Sequence, residues 1–136
     1  MFLSSFYGIL DSKNRVSIPS PFRSTIKKSN EKTFIFKSLK YECLEVHLSS
    51  KINSLIKSFD EKDFLSKKND HIKTAILSDL EEIIIDKEGR FILRDHLQKF
   101  SKLSKEIIFI GKGNHFEIWE KKSGEKHKKI SRAKLK

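Results

Sequence analysis

GILDSKNRVSIP, residues 8–19, decides the fold, because IIIDKEGRFIL, residues 83–93, repeats its outline: an apolar run, an Asp, three mostly polar residues, an Arg and a second apolar run. Shifting the chain by 75 positions places Asp11 over Asp86, Arg15 over Arg90, Val16 over Phe91, Ile18 over Leu93 and Phe22 over Leu97. Without a gap, the same shift carries Phe34, Ile35 and Lys37 onto Phe109, Ile110 and Lys112, and YECLE at 41–45 onto FEIWE at 116–120. Agreement over so many positions predicts two copies of one supersecondary unit. Each copy is too small to bury its own apolar face, so the copies are expected to pair.

Within a copy, Phe6, Gly8 and Leu10, then Val16 and Ile18, alternate as two short strands around DSKNR; Ile83 and Ile85, then Phe91 and Leu93, match them. The turns require backbone with positive φ, which Gly89 adopts freely and Asn14 tolerates better than most residues. Ser20 is suited to cap a helix that opens with Pro21, and Asp95 to cap HLQKF. Each helix precedes a strand pair, TFIFKS with CLEVHL and EIIFIG with HFEIWE. Between the copies, Ile52, Leu55, Ile56, Phe59, then Phe64 and Leu65, and later Ile72, Ala75 and Ile76 recur at helical spacing. Two connecting helices are expected there, broken around KKND at 67–70. The boundaries are a first repeat at 1–48, a helical connector at 49–79, a second repeat at 80–120 and a basic C-terminal tail at 121–136.

A chain of 136 residues with 37% hydrophobic content and eleven Phe suffices for one folded domain or two small ones sharing a core. Its apolar start is cut short by Asp11 and lacks a basic leader, so it reads as a strand rather than a signal peptide or membrane span. A single cysteine, Cys43, fits a small buried side chain. These features predict a soluble cytoplasmic protein. The net charge of +11 is concentrated in the tail, where eight Lys or Arg face one Glu. Such a tail either attracts phosphates without sequence preference or is a solvated, partly disordered end. With only five arginines in a lysine-rich chain, each arginine carries more information than a lysine.

Catalysis finds little support. The histidines at 47, 71, 96, 115 and 127 show no His-Glu-x-x-His spacing, no cysteine pair accompanies them, and GKG at 111–113 lacks the flanking residues of a phosphate loop. His115 reads as a satisfied strand residue, and Trp119 as a core or interface anchor. No metal ligand set and no cofactor is read from the sequence, and no enzyme is expected.

The opening FYGILDSKNRVSIPSPFR, the second IIIDKEGRFIL and the late IIFIGKGNHFEIWE together resemble the MraZ family of bacterial transcriptional regulators, over residues 1–120. The resemblance implies an α+β fold of two pseudo-symmetric SpoVT-AbrB-like swapped-hairpin units with a shared small barrel-like core, connecting helices and assembly into a ring-shaped homo-oligomer. It implies binding of double-stranded DNA at repeated promoter boxes of the cell-division and cell-wall gene cluster, in the cytoplasm at the nucleoid. Carried over residue by residue, it makes Arg15 and Arg90 the DNA-contacting candidates, with Asp11, Asp86 and Gly89 shaping the turns. Lys13, Lys87 and Asn14, on the same turns, are the further DNA-binding candidates. Physically, an Asp opening a turn accepts backbone N–H bonds, an Arg closing it suits guanine O6 and N7 or phosphate, and the lysines suit phosphate. The rival from another class is an oligomeric protein-interaction scaffold without specific DNA binding.

Overall fold

In the computed structural model, which describes residues 1–61 and 65–135, the order strand, strand, helix, strand, strand, helix occurs twice. The first pass is β1 (Ser5–Ile9), β2 (Arg15–Ser17), α1 (Ser20–Ser29), β3 (Thr33–Lys37), β4 (Leu44–Leu48) and α2 (Ser49–Asp60). After α3 (Lys67–Leu77), the second is β5 (Glu81–Glu82), β6 (Arg90–Ile92), α4 (Asp95–Phe100), β7 (Glu106–Gly111), β8 (His115–Glu120) and α5 (Lys121–Ala133).

The two passes are interleaved rather than juxtaposed. Six strands form one antiparallel sheet in the order β1-β7-β8-β4-β3-β5, and β2 with β6 forms a separate two-stranded ribbon. The two strands flanking DSKNR therefore do not pair with each other as a hairpin along their length. They touch at one bridge, Leu10 with Val16, and then part, β1 to the outer side of β7 and β2 to β6. The parting leaves Val16 and Phe91 directly opposite each other in the ribbon, both closed off from solvent over the main core. In the second pass, Ile83 and Ile85 lie outside any strand, and β5 is the preceding Glu81–Glu82 on the edge of β3. The barrel-like core is corrected too. The sheet ends in two edges, β1 and β5, so no closed barrel forms among the described residues.

The main core draws on both passes. Phe2, Phe22 and Phe116 cluster with ring centroids 4.8–5.4 Å apart, beside Ile18, Ile35 and Phe109. Burying each such side chain is worth about 1.5–3 kcal/mol, so neither half retains a comparable core alone. On the other face of the sheet, α2 and α3 cover Phe36 with Ile52, Phe59 and Ile76. The break between these helices comes earlier than KKND: Ser66 Oγ accepts from Asn69 N at 3.2 Å, and Lys67 begins α3. Phe64 lies outside the described residues. The other two helices begin one residue off their expected caps, after Pro19 and Arg94.

The basic tail is corrected most. Residues 121–133 form α5, capped by the Glu120 carboxylate, which accepts from Lys122 N and Ser123 N at 2.8 and 3.1 Å. The helix is docked. Gly124 is buried where a Cβ would stand 2.3 Å from Ile108 Cγ2, and His127 stacks on Trp119 at 4.5 Å. Trp119 is the predicted anchor, packed with Cys43 and Ile108.

The ungapped repeat register also slips. Ile35 pairs with Val46 as Phe109 pairs with Ile118, so Phe109 answers Ile35, not Phe34. Helices begin immediately after Leu48 and Glu120, so Glu120 answers Leu48 rather than Glu45. One residue of the difference lies between the start of α1 and β3, and the longer β3–β4 loop absorbs the other two.

Candidate nucleic-acid interface

The two Asp-x-x-x-Arg turns have the same internal wiring. Asp11 Oδ1 accepts from the backbone N–H of Lys13 and Arg15 at 2.8 and 2.9 Å; Asp86 Oδ1 accepts from those of Glu88 and Arg90 at 2.9 and 3.0 Å. Each Oδ2 receives the arginine Nε, at 2.8 Å in the first turn and 3.1 Å in the second. Backbone bonds close both turns, Asn14 N to Asp11 O at 3.1 Å and Gly89 N to Asp86 O at 3.0 Å. The residue before each arginine is left-handed, Asn14 at φ 62° and Gly89 at φ 79°. The backbone N–H of Arg15 and of Arg90, with the guanidinium beside it, holds Asp11 and Asp86 below the ordinary carboxylate range. Both aspartates are therefore ionised acceptors at neutral pH, and the turns are preformed.

Strand register then aims the arginines. Arg15 lies opposite Ile92 and Arg90 opposite Ser17. Directly paired residues, and residues two apart, share a face. Arg15, Ser17, Arg90 and Ile92 thus share the outer face of the β2–β6 ribbon, while Val16 and Phe91 take the inner one. Because the strands are antiparallel, the two turns lie at opposite ends of the ribbon. Arg15 and Arg90 border a common groove of about 530 Å³. Within it, Arg94 Nε is paired to Glu81 Oε1 at 2.9 Å.

The turns differ in what they leave available. Among the described residues Arg15 Nη1 and Nη2 meet no acceptor, whereas Arg90 Nη2 is held by Glu88 Oε2 at 3.0 Å. Lys13 and Lys87 are exposed, and Asn14 presents its Oδ1 to Gln98 Nε2 at 3.1 Å. Arg23, not singled out from the sequence, lies over Gly89 and donates from Nη1 to Glu88 O at 2.9 Å. Its place one turn into α1 gave no motif by which to find it.

Away from this face, Glu45, His47 and His115 come together on β4 and β8. Sequence spacing hid this group, because Glu45 and His47 reach His115 only through the β4–β8 pairing. His115 is the satisfied strand residue expected, with Nδ1 2.7 Å from Asn114 Oδ1.

Comparison with known proteins gives the chain's relatives. Residues 76–134 match a family described as "MraZ protein, putative antitoxin-like", a span that includes the second turn and α5. Over 98% of its length the chain is 34% identical to a protein of Pelagibacter ubique named "Transcriptional regulator MraZ", covering 87% of that protein. Proteins of the same name from Gluconacetobacter diazotrophicus and Rickettsia felis are 32% and 33% identical over 97% and 93% of the chain, which covers 86% of each.

Proposed function

The chain belongs to the MraZ family, whose members are transcriptional regulators rather than enzymes, and from that premise we propose that it is a sequence-specific DNA-binding regulator whose β2–β6 ribbon is the DNA face. The observation that carries this reading is the placement of Arg15 and Arg90 on one outer face of a two-stranded ribbon, each on a preformed turn. Such a ribbon fits the major groove of B-form DNA. Arg15, docked through Nε alone, keeps both terminal nitrogens for a bidentate contact to guanine O6 and N7. Arg90 must first release Glu88, so it is the weaker reader. Asn14, Lys13 and Lys87 adjoin the phosphates, and Asp11, Asp86 and Gly89 hold the turns. The net charge of +11 adds a salt-dependent attraction that carries no sequence information.

The finer reading follows. Residues 1–48 and 80–120 are two SpoVT-AbrB-like swapped-hairpin units joined by the connector at 49–79, and β2 and β6 are the exchanged arms. Several chains assemble into a ring, supported by the β1 edge and by exposed Tyr7 and Ile9 on that strand. A ring repeats the ribbon, so weak contacts act together on repeated promoter boxes of the cell-division and cell-wall cluster. The protein then works at the nucleoid. No helix among the described residues is long and apolar enough to cross a membrane.

The test is a gel shift on DNA from upstream of the protein's own gene, paired with sedimentation. Specific retention that scrambled competitor fails to displace, by a species several times the 15.9 kDa chain mass, is the expected result. Equal displacement by scrambled DNA would sink sequence-specific recognition, and a monomer at micromolar concentration would sink the ring.

A further inference from the structure

We propose that Glu45, His47 and His115 form a binding site for a borderline divalent metal ion of the Zn²⁺ class, clasping β4 to β8 at the middle of the sheet. Glu45 and His47 are two residues apart on β4, and His115 lies directly opposite His47 on β8. All three therefore leave the same face of the sheet, opposite to the face that sends Leu44 and Val46 into the main core. One potential ligand atom from each residue falls within 4.8 Å of the others. Glu45 Oε1 is 2.9 Å from His47 Nε2 and 3.6 Å from His115 Nε2. Two ligands on a tetrahedral Zn²⁺ with bonds of about 2.0–2.1 Å stand roughly 3.3 Å apart, so the carboxylate already bridges the required span. The imidazoles stack nearly parallel, with centroids 4.3 Å apart and planes 8° off. Loading tilts His115, the less buried of the two, toward Glu45.

The donor chemistry fits. Two imidazoles and a carboxylate are the ligand set of an open Zn²⁺ site, with a fourth position left for water. A cavity of about 280 Å³ adjoins all three residues and leaves room for that water. His47 is 3% exposed, and the ring nitrogen it offers to the site is Nε2, the one nearest Glu45. Lys40 and Lys51 border the same cavity, and their positive charge opposes cation binding there.

The experiment uses the full chain stripped with chelator and titrated with Zn²⁺ and Co²⁺, without DNA. Expected are one saturable equivalent per chain, visible ligand-field bands of tetrahedral Co²⁺, and a melting temperature that rises with metal. His115→Ala and Glu45→Gln, each folded by circular dichroism, should weaken binding roughly tenfold or more. His96→Ala, which alters the separate His96–Glu81 pair, should bind as the wild type does. Absence of a saturable equivalent overturns the proposal. So does undiminished binding by both site variants.

Discussion

Gly89→Ala separates the contribution of backbone from that of side chain at the second turn. Two effects add. At φ 79° an L-residue in the left-handed region costs roughly 1–2 kcal/mol relative to glycine. The new Cβ would also stand 2.1 Å from Arg23 Cδ and 2.3 Å from its Nη1. Because these atoms end a flexible side chain, Arg23 swings away and loses its bond to Glu88 O, worth about 0.5–1.5 kcal/mol at most for an exposed pair. The sum is roughly 1.5–3.5 kcal/mol, read by urea denaturation at fixed protein concentration with an unchanged m value. Arg23→Ala alone should cost only the bond. In the double variant, Gly89→Ala should cost only the backbone part, so the two changes are less than additive. Full additivity, or a Gly89→Ala protein as stable as the wild type, refutes the placement of Arg23 over the turn.

Other perturbations follow from the same geometry. Asn14→Gly should leave stability nearly unchanged, because relief at φ 62° offsets the lost bond to Gln98; thermal melting checks this. Gly124→Leu should undock α5 from Ile108 and Trp119, seen as a red-shifted Trp119 emission and a lower melting temperature. Lowering the pH from about 6.5 to about 4 should destabilise the protein, since the unfolded chain takes up a proton that native His115 refuses until about 4. His115→Asn should flatten that part of the melting-temperature profile.

What the sequence made legible was the repeated order of elements and the polar turns. Their geometry is local: an Asp whose oxygen reaches backbone two and four residues on, with Asn14 or Gly89 turning the chain. Pairing across the sheet was not local. Nothing in residues 5–17 says that β1 leaves β2 for β7, since alternation records which faces are apolar but not which strand lies alongside. The one-residue slip between Phe34 and Ile35 was hidden for a related reason, as both positions are apolar on a sheet covered on both faces. Lysine abundance masked α5, whose inward contacts fall on Gly124 and His127 rather than on large aliphatic residues. Arg15 and Arg90 were legible as individuals, but their common face required the β2–β6 register.

Affinity for duplex DNA from upstream of the protein's own gene, measured with melting temperature for wild type, Arg15→Ala and Arg90→Ala, tests the central claim most directly. Losing a bidentate guanine contact costs ~1–3 kcal/mol, roughly a 5- to 150-fold fall in affinity for one contact, and more where several ribbons engage. Arg15→Ala should show this fall on the specific duplex and much less on scrambled DNA. Arg90→Ala should fall less, and both should melt near the wild type because the ion pairs they break are only half-buried and open to solvent screening. Unchanged affinity in Arg15→Ala with a large drop in melting temperature would make the Asp11–Arg15 pair a structural clasp and place the DNA face elsewhere.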